Sequence, residues 1–262
     1  MKLSISNIAW SADQDRQVYV LMKKYGYSGL EIAPTRIFPE KPYDQLSAAA
    51  GWAEELRTQY GLSVSSMQSI WYGVQERVFG SEEEQHFLIG YTKKAILFAE
   101  AAGCPNLVFG CPRNRFLPEG ADAQTAVYFF RELAEDARTH HTVIAMEANP
   151  LIYHTNYINT TSQAIELVRT VRSPGMKINL DMGTILENKE PLTVLEGITD
   201  MISHVHISEP GLKKIEKRTL HQELSDLLKK EHYQGYVSIE TGKTECLSEL
   251  EETMAYVKEV FE

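Results

Sequence analysis

The sequence predicts a (β/α)8 barrel occupying residues 1–262 as one domain. Three observations carry this expectation. Short β-type runs alternate with helical stretches eight times, with no linker or low-complexity segment between them. A chain of 262 residues is the usual size of one such barrel. No GxGxxG follows the first β-type run, so a doubly wound dinucleotide-binding sheet lacks its signature.

The elements follow in order. Leu3–Ile8 reads as the first strand and Asp13–Tyr25 as the first helix. Gly26-Tyr-Ser-Gly29 then turns the chain into the strand Leu30–Ala33. Asp44–Tyr60 has helical spacing and stops at Gly61, and Leu62–Ile70 is the third strand. Ser81 followed by Glu82–Glu84 is an N-cap with acids at the positive end of a helix that stops at Gly103. Asn106–Gly110 is the fourth strand and Ala121–Thr139 the helix after it. Val143–Glu147, the helix Thr161–Val171 and the strand Lys177–Asp181 continue the rhythm, with Ser173-Pro-Gly175 as the break. A short helix Leu192–Met201, the strand Ser203–Ser208 and the helix Thr219–Glu231 come next. Gly235–Glu240 is the eighth strand, and Leu247–Phe261 is the closing helix. The Pro- and Gly-containing stretches 34–42, 110–120 and 208–217 follow strands two, four and seven, on the catalytic face of a barrel.

Composition narrows the function. Thirty-six acids against 26 bases give a formal net charge of −10, which opposes binding to nucleic acid. No apolar run is long enough to span a membrane, and no secretory signal opens the chain. Three scattered cysteines suggest neither a disulfide framework nor a zinc ribbon. A cytoplasmic protein acting on a small molecule is expected. A homo-oligomer is compatible with this, although no segment marks an interface.

The chemistry lies in four strand ends. Val143-Ile-Ala-Met-Glu147, Lys177-Ile-Asn-Leu-Asp181, His204-Val-His206 and Tyr236-Val-Ser-Ile-Glu240 each finish on a residue able to bind metal. Taken singly, each has an ordinary explanation. Glu147 and Glu240 could be solvated acids, Asp181 a turn initiator before Gly183, and His206 a core histidine. Together they fall at equivalent points of strands five to eight, where three carboxylates and an imidazole would converge. A divalent cation resolves their repulsion. Oxygen-rich ligation favours Mn2+, Mg2+ or Co2+, with Zn2+ also open. Such an ion polarises a carbonyl, so Glu147 and Glu240 could move a proton on the adjacent carbon.

Other residues are candidate substrate contacts. Arg113 and Arg115, in the loop after strand four, could grip a phosphate or carboxylate, or serve in surface ion pairs. Glu31 and Gln68, at strands two and three, could bond sugar hydroxyls or belong to the polar barrel top. Asn149, two residues beyond Glu147, and His221, at the start of the helix after strand seven, join this set. Trp10, Trp71 and Tyr72 could wall a sugar ring or simply fill the core. His204, one layer below His206, is read as structural.

These motifs resemble the xylose isomerase-like TIM-barrel superfamily, in its sugar phosphate isomerase/epimerase branch. The resemblance rests on Gly29-Leu-Glu-Ile-Ala-Pro-Thr-Arg36, Val108-Phe-Gly-Cys-Pro-Arg-Asn-Arg115 and Met146-Glu-Ala-Asn-Pro150. Asn179-Leu-Asp-Met-Gly183, His204-Val-His-Ile-Ser-Glu-Pro210 and Ser238-Ile-Glu240 extend it over nearly the whole chain. It implies one divalent ion held by Glu147, Asp181, His206 and Glu240, with the two glutamates carrying proton transfer. Ketose 3-epimerase relatives often place a substrate-contacting His three residues after the Asp, where this chain has Thr184. AP endonucleases of the superfamily need further histidines for three metals. Here Gln68, the Val-Phe-Gly of strand four and Thr184 stand instead. The expected activity is therefore isomerisation or epimerisation of a sugar, sugar phosphate or sugar acid. The alternatives are a dehydroshikimate-type dehydratase and a non-catalytic sugar-binding barrel, with DNA repair last.

Overall fold

In the computed structural model, which describes residues 1–262, eight parallel strands close into a barrel in chain order. They are β1 (Lys2–Ser6), β2 (Gly29–Ile32), β3 (Ser63–Met67) and β4 (Leu107–Phe109), then β5 (Ile144–Glu147), β6 (Met176–Asp181), β7 (Ile202–Ile207) and β8 (Tyr236–Ile239). The strands are short and almost wholly buried, as expected when helices cover one face and the barrel interior the other. Gly29 permits the close approach this needs, since a Cβ there would lie 2.5 Å from the Tyr236 ring.

The helices are α1 (Asp15–Lys24), the single turn α2 (Pro34–Ile37), α3 (Leu46–Tyr60), α4 (Glu82–Ala101) and α5 (Gln124–Thr139). They continue as α6 (Thr161–Val171), α7 (Met182–Asn188), α8 (Thr219–Lys230) and α9 (Leu247–Phe261). Their starts are chemically marked. Ser81 Oγ accepts from Glu84 N at 3.3 Å, and the Glu84 carboxylate accepts from Ser81 N at 2.9 Å. Thr160 and Gln163 make the same reciprocal cap on α6. No helix is long and apolar enough to cross a membrane.

The structure corrects one element. The helix between β6 and β7 is not Leu192–Met201 but α7, which starts directly after β6. Asp181 is its N-cap, with Oδ2 accepting from Thr184 N at 2.7 Å. The expected segment forms two 3-10 turns, Leu192–Leu195 and Thr199–Met201, separated by Gly197 at φ 71°. The first strand is also shorter than expected, because the chain leaves β1 at Ser6 for a 3-10 turn over Asn7–Ala9.

Candidate metal centre

The ends of β5 to β8 bring Glu147, Asp181, His206 and Glu240 together. One donor atom from each lies within 4.8 Å of every other, and all four residues are buried. The strands are staggered, and the residues meet despite it. Glu147 is in register with Asn179, whereas Asp181 is in register with His206. His206 is in turn opposite Ser238, so Glu240 reaches the cluster from just beyond the strand end.

Neighbours fix each donor. Glu147 accepts from Asn149 Nδ2 at 2.9 Å and from Asn179 Nδ2 at 2.7 Å. Gly110 leaves room for it, because a Cβ there would lie 3.0 Å from Glu147 Oε1. Asp181 accepts from the Thr184 amide and hydroxyl and from the Ser208 hydroxyl. The Nε2 of His206 lies 2.9 Å from Glu31 Oε1, which favours a hydrogen on Nε2. Its Nδ1 then faces Glu147 Oε2 at 3.1 Å and Glu240 Oε2 at 3.3 Å.

The electrostatics agree with a cation site. Burial raises the Glu240 carboxyl to about 7, and the charges of Glu147 and Asp181 add to this against the pull of His206. Burial, with Glu147 next, also raises Asp181. Burial opposes charge on His206, yet Glu240 and Glu31 outweigh it and hold the imidazole well above its ordinary pKa. Three buried carboxylates converge on His206 Nδ1, and a divalent ion there would take the place of the proton that these acids hold on the imidazole. Glu147, Asp181, His206 and Glu240 would hold it.

Several expected contacts fall elsewhere. Glu31 is fully buried beneath His206 and also accepts from Ser238 Oγ at 2.8 Å, so it faces no substrate. Burial would raise its carboxyl, but His206 and His204 hold it low. Arg115 is fully buried too. It donates to Glu147 O and Asn149 Oδ1, each at 2.8 Å, and thereby braces the chain after β5. Arg113, in the same 3-10 turn, is exposed, so the two arginines form no joint anion grip. His221 is buried in the helical layer with Nδ1 3.0 Å from the Tyr256 hydroxyl, and it does not line the mouth. Trp71 packs edge-on against Phe109 in the core. Trp10 is buried with its Nε1 bonded to Asp15, while Tyr72 is exposed.

Gln68 and Asn149 do line the cavity over the cluster, which measures about 190 Å³. So do Tyr153, Ser208 and Glu209, which the sequence reading did not select. It also gave no role to Asn179, whose amide bridges Glu147 and His206. The signal was available, since Asn179 lies two residues before Asp181 on the same face of β6. Cys111 lines the cavity as well, and burial raises its thiol to about 12.

Comparison with known proteins agrees with this architecture. A family model described as xylose isomerase-like TIM barrel matches residues 20–260. No curated protein matches the chain by sequence. Among solved structures, the apo 3-keto-D-glucoside 4-epimerase of E. coli superposes with a TM-score of 0.77 at 19% identity, covering 99% of both chains. The D-psicose 3-epimerase of Clostridium cellulolyticum H10, solved with D-tagatose, gives 0.79 at 17% identity over 100% of both. The IolI protein, solved with a zinc atom, gives 0.73 at 18% identity, covering 100% of this chain and 99% of its own. At these identities the likeness establishes the fold.

Proposed function

Because the chain belongs to the xylose isomerase-like TIM-barrel family, we propose that it is a divalent-metal-dependent sugar epimerase or isomerase. The observation that carries this is the buried Glu147, Asp181, His206 and Glu240 cluster at the barrel mouth. Sugar epimerases among the structural neighbours support the same reading. A divalent ion of the Mn2+, Mg2+ or Co2+ class, or Zn2+, would polarise the substrate carbonyl when bound.

The chain's own residues then divide the work. Glu147 and Glu240 come from β5 and β8, so they approach a bound ring from different sides of the barrel. One carboxylate takes the proton from the carbon beside the carbonyl, and the other returns a proton to the opposite face. Asn149 and Asn179 fix the rotamer of Glu147 through both its oxygens. Gln68 and Asn149, on the cavity wall, hydrogen-bond substrate hydroxyls. Epimerisation follows from return on the other face, and isomerisation from return to the neighbouring carbon.

The test combines elemental analysis with turnover. About one equivalent of divalent metal in the wild type, lost in a Glu147→Gln, Asp181→Asn variant, is the expected result. Free ketoses and keto-glycosides, incubated with the Mn2+-loaded protein in D2O, should exchange the hydrogen next to the carbonyl. Absence of metal after incubation with Mn2+, Co2+, Mg2+ and Zn2+ would overturn the reading. A dehydrated, ultraviolet-absorbing product would instead identify a dehydratase.

A further inference from the structure

The 190 Å³ cavity over Glu147, Asp181 and Glu240 is on the scale of one sugar ring. A second cavity of about 1070 Å³ opens beside it, reached from the ends of β1, β2 and β3 and from α4. The two cavities share Ser69. Ser69 has φ 53°, a left-handed conformation uncommon for serine, which turns the chain sharply where the cavities meet.

Tyr72, Phe87 and Tyr91 present rings at the second cavity, and Trp10 and Tyr43 line it while almost wholly buried. Tyr72 is 72% exposed and Phe87 47% exposed, and both line the one cavity. Phe87 stacks on Tyr91 at 5.9 Å and 18°.

Charge narrows the ligand. Lys94 pairs with Asp44 at 2.8 Å, Arg36 with Asp15 at 2.6 Å and Lys243 with Glu245 at 3.0 Å. Among the lining cations only Lys41 lacks an ion-pair partner, which favours a neutral ligand over a phosphate. Flat rings edged by neutralised polar groups suit an uncharged ring with an apolar C–H face and a hydroxyl rim.

We propose that this second cavity binds an uncharged sugar ring joined by a glycosidic bond to the ring held over Glu147 and Glu240. The substrate class is then a disaccharide-like glycoside, not a free or phosphorylated monosaccharide. This rests on the epimerase or isomerase reading of the first cavity.

The experiment is calorimetric and NMR titration of the Mn2+-loaded protein. The probes are cellobiose, maltose, sucrose and trehalose, set against glucose, fructose and glucose 6-phosphate. At least one disaccharide should bind about tenfold tighter than its component monosaccharides, with saturation transfer from aromatic protons to one ring. In Tyr72→Ala and Phe87→Ala that ratio should fall toward one. Equal affinity for disaccharides and monosaccharides, preference for the phosphate, or a ratio unchanged in both variants would overturn the proposal. So would light scattering showing a dimer that Tyr72→Ala dissociates, because the aromatic face would then belong to a second copy. Hydrogen exchange on free ketoses, measured on the same samples, separates the two readings: exchange without a disaccharide preference removes this subsite and leaves the epimerase.

Discussion

The two halves of the barrel differ in how they finish their strands. In the first half the polar groups are small, neutral and bonded to one another. Ser4 meets Ser65 at 2.6 Å, Gln68 donates to Ser6 at 2.5 Å, and Asn106 donates to Ser66 at 2.8 Å. Its one strand-end acid, Glu31, is directed at histidines of the other half. In the second half every strand contributes a metal-ligand type of residue to a common point. The fold supplies eight equivalent strand ends, and the chain turns four neighbouring ones toward a common point. The charged half gathers its donors under the smaller cavity, while the larger cavity opens beside the neutral half.

The largest test of this contrast is removal of a proton-transfer group. Glu240→Gln should lower turnover by about 10³-fold or more while far-ultraviolet circular dichroism and melting temperature stay close to wild type. Gln68→Ala, on the neutral half, should cost about tenfold and mainly through KM. Equal losses from both would erase the proposed division between halves.

Arg115 and Arg113 give the next largest contrast. Truncating Arg115 leaves the Glu147 carbonyl and the Asn149 side chain without their buried donor. Arg115→Met should destabilise the protein by about 3 kcal/mol in urea titration. Exposed Arg113 should tolerate alanine within about 0.5 kcal/mol. If Arg113→Ala also weakened binding of a sugar phosphate more than tenfold, an anion grip at that loop would return.

This pair shows what could be read from the sequence and what could not. The alternation of strands and helices was legible because hydrophobic period and punctuation by Gly, Pro and N-caps are local signals. The convergence of Glu147, Asp181, His206 and Glu240 was legible because topology converts position along a strand into position at the mouth. The direction of a long side chain after the strand end was not. Arg113 and Arg115 are two residues apart, and only the 3-10 turn Pro112–Arg115 decides which one is buried. Helix α7 was missed for a related reason. Asp181 before Gly183 suits a turn as well as an N-cap, and the Thr184 amide and hydroxyl bonded to Asp181 decide for the cap. Asn179 needed a known partner, since an amide inside a strand gains meaning only when Glu147 and His206 lie beside it.

Glu31 links the halves, and its effect should be smaller than those of the groups above. Carboxylate contacts to the distal nitrogen of a metal-binding imidazole set its tautomer and raise its basicity. Glu31→Gln keeps the volume and removes the charge, so metal affinity should fall by about 10- to 100-fold in equilibrium dialysis. Unchanged affinity would mean that the ion does not use His206 Nδ1.

The smallest effect concerns His221, which belongs to the charged half by sequence but lies in its helical layer. Burial depresses its pKa to about 4, outweighing the charge of Glu209, while the unfolded chain binds a proton near the ordinary 6.5. Between those values the unfolded state holds more protons, so this group's contribution to stability falls as pH drops from 6.5 toward 4. The difference between wild type and His221→Asn cancels the carboxylates at the mouth, which titrate in both proteins. In urea titrations the wild type should lose about 1 kcal/mol relative to the variant between pH 7.5 and pH 5.5. KM should not move, because the imidazole meets Tyr256 rather than the cavity. A raised KM with an unaltered pH profile of stability would bring His221 into the binding site and show that the chemistry of this half extends past its strand ends.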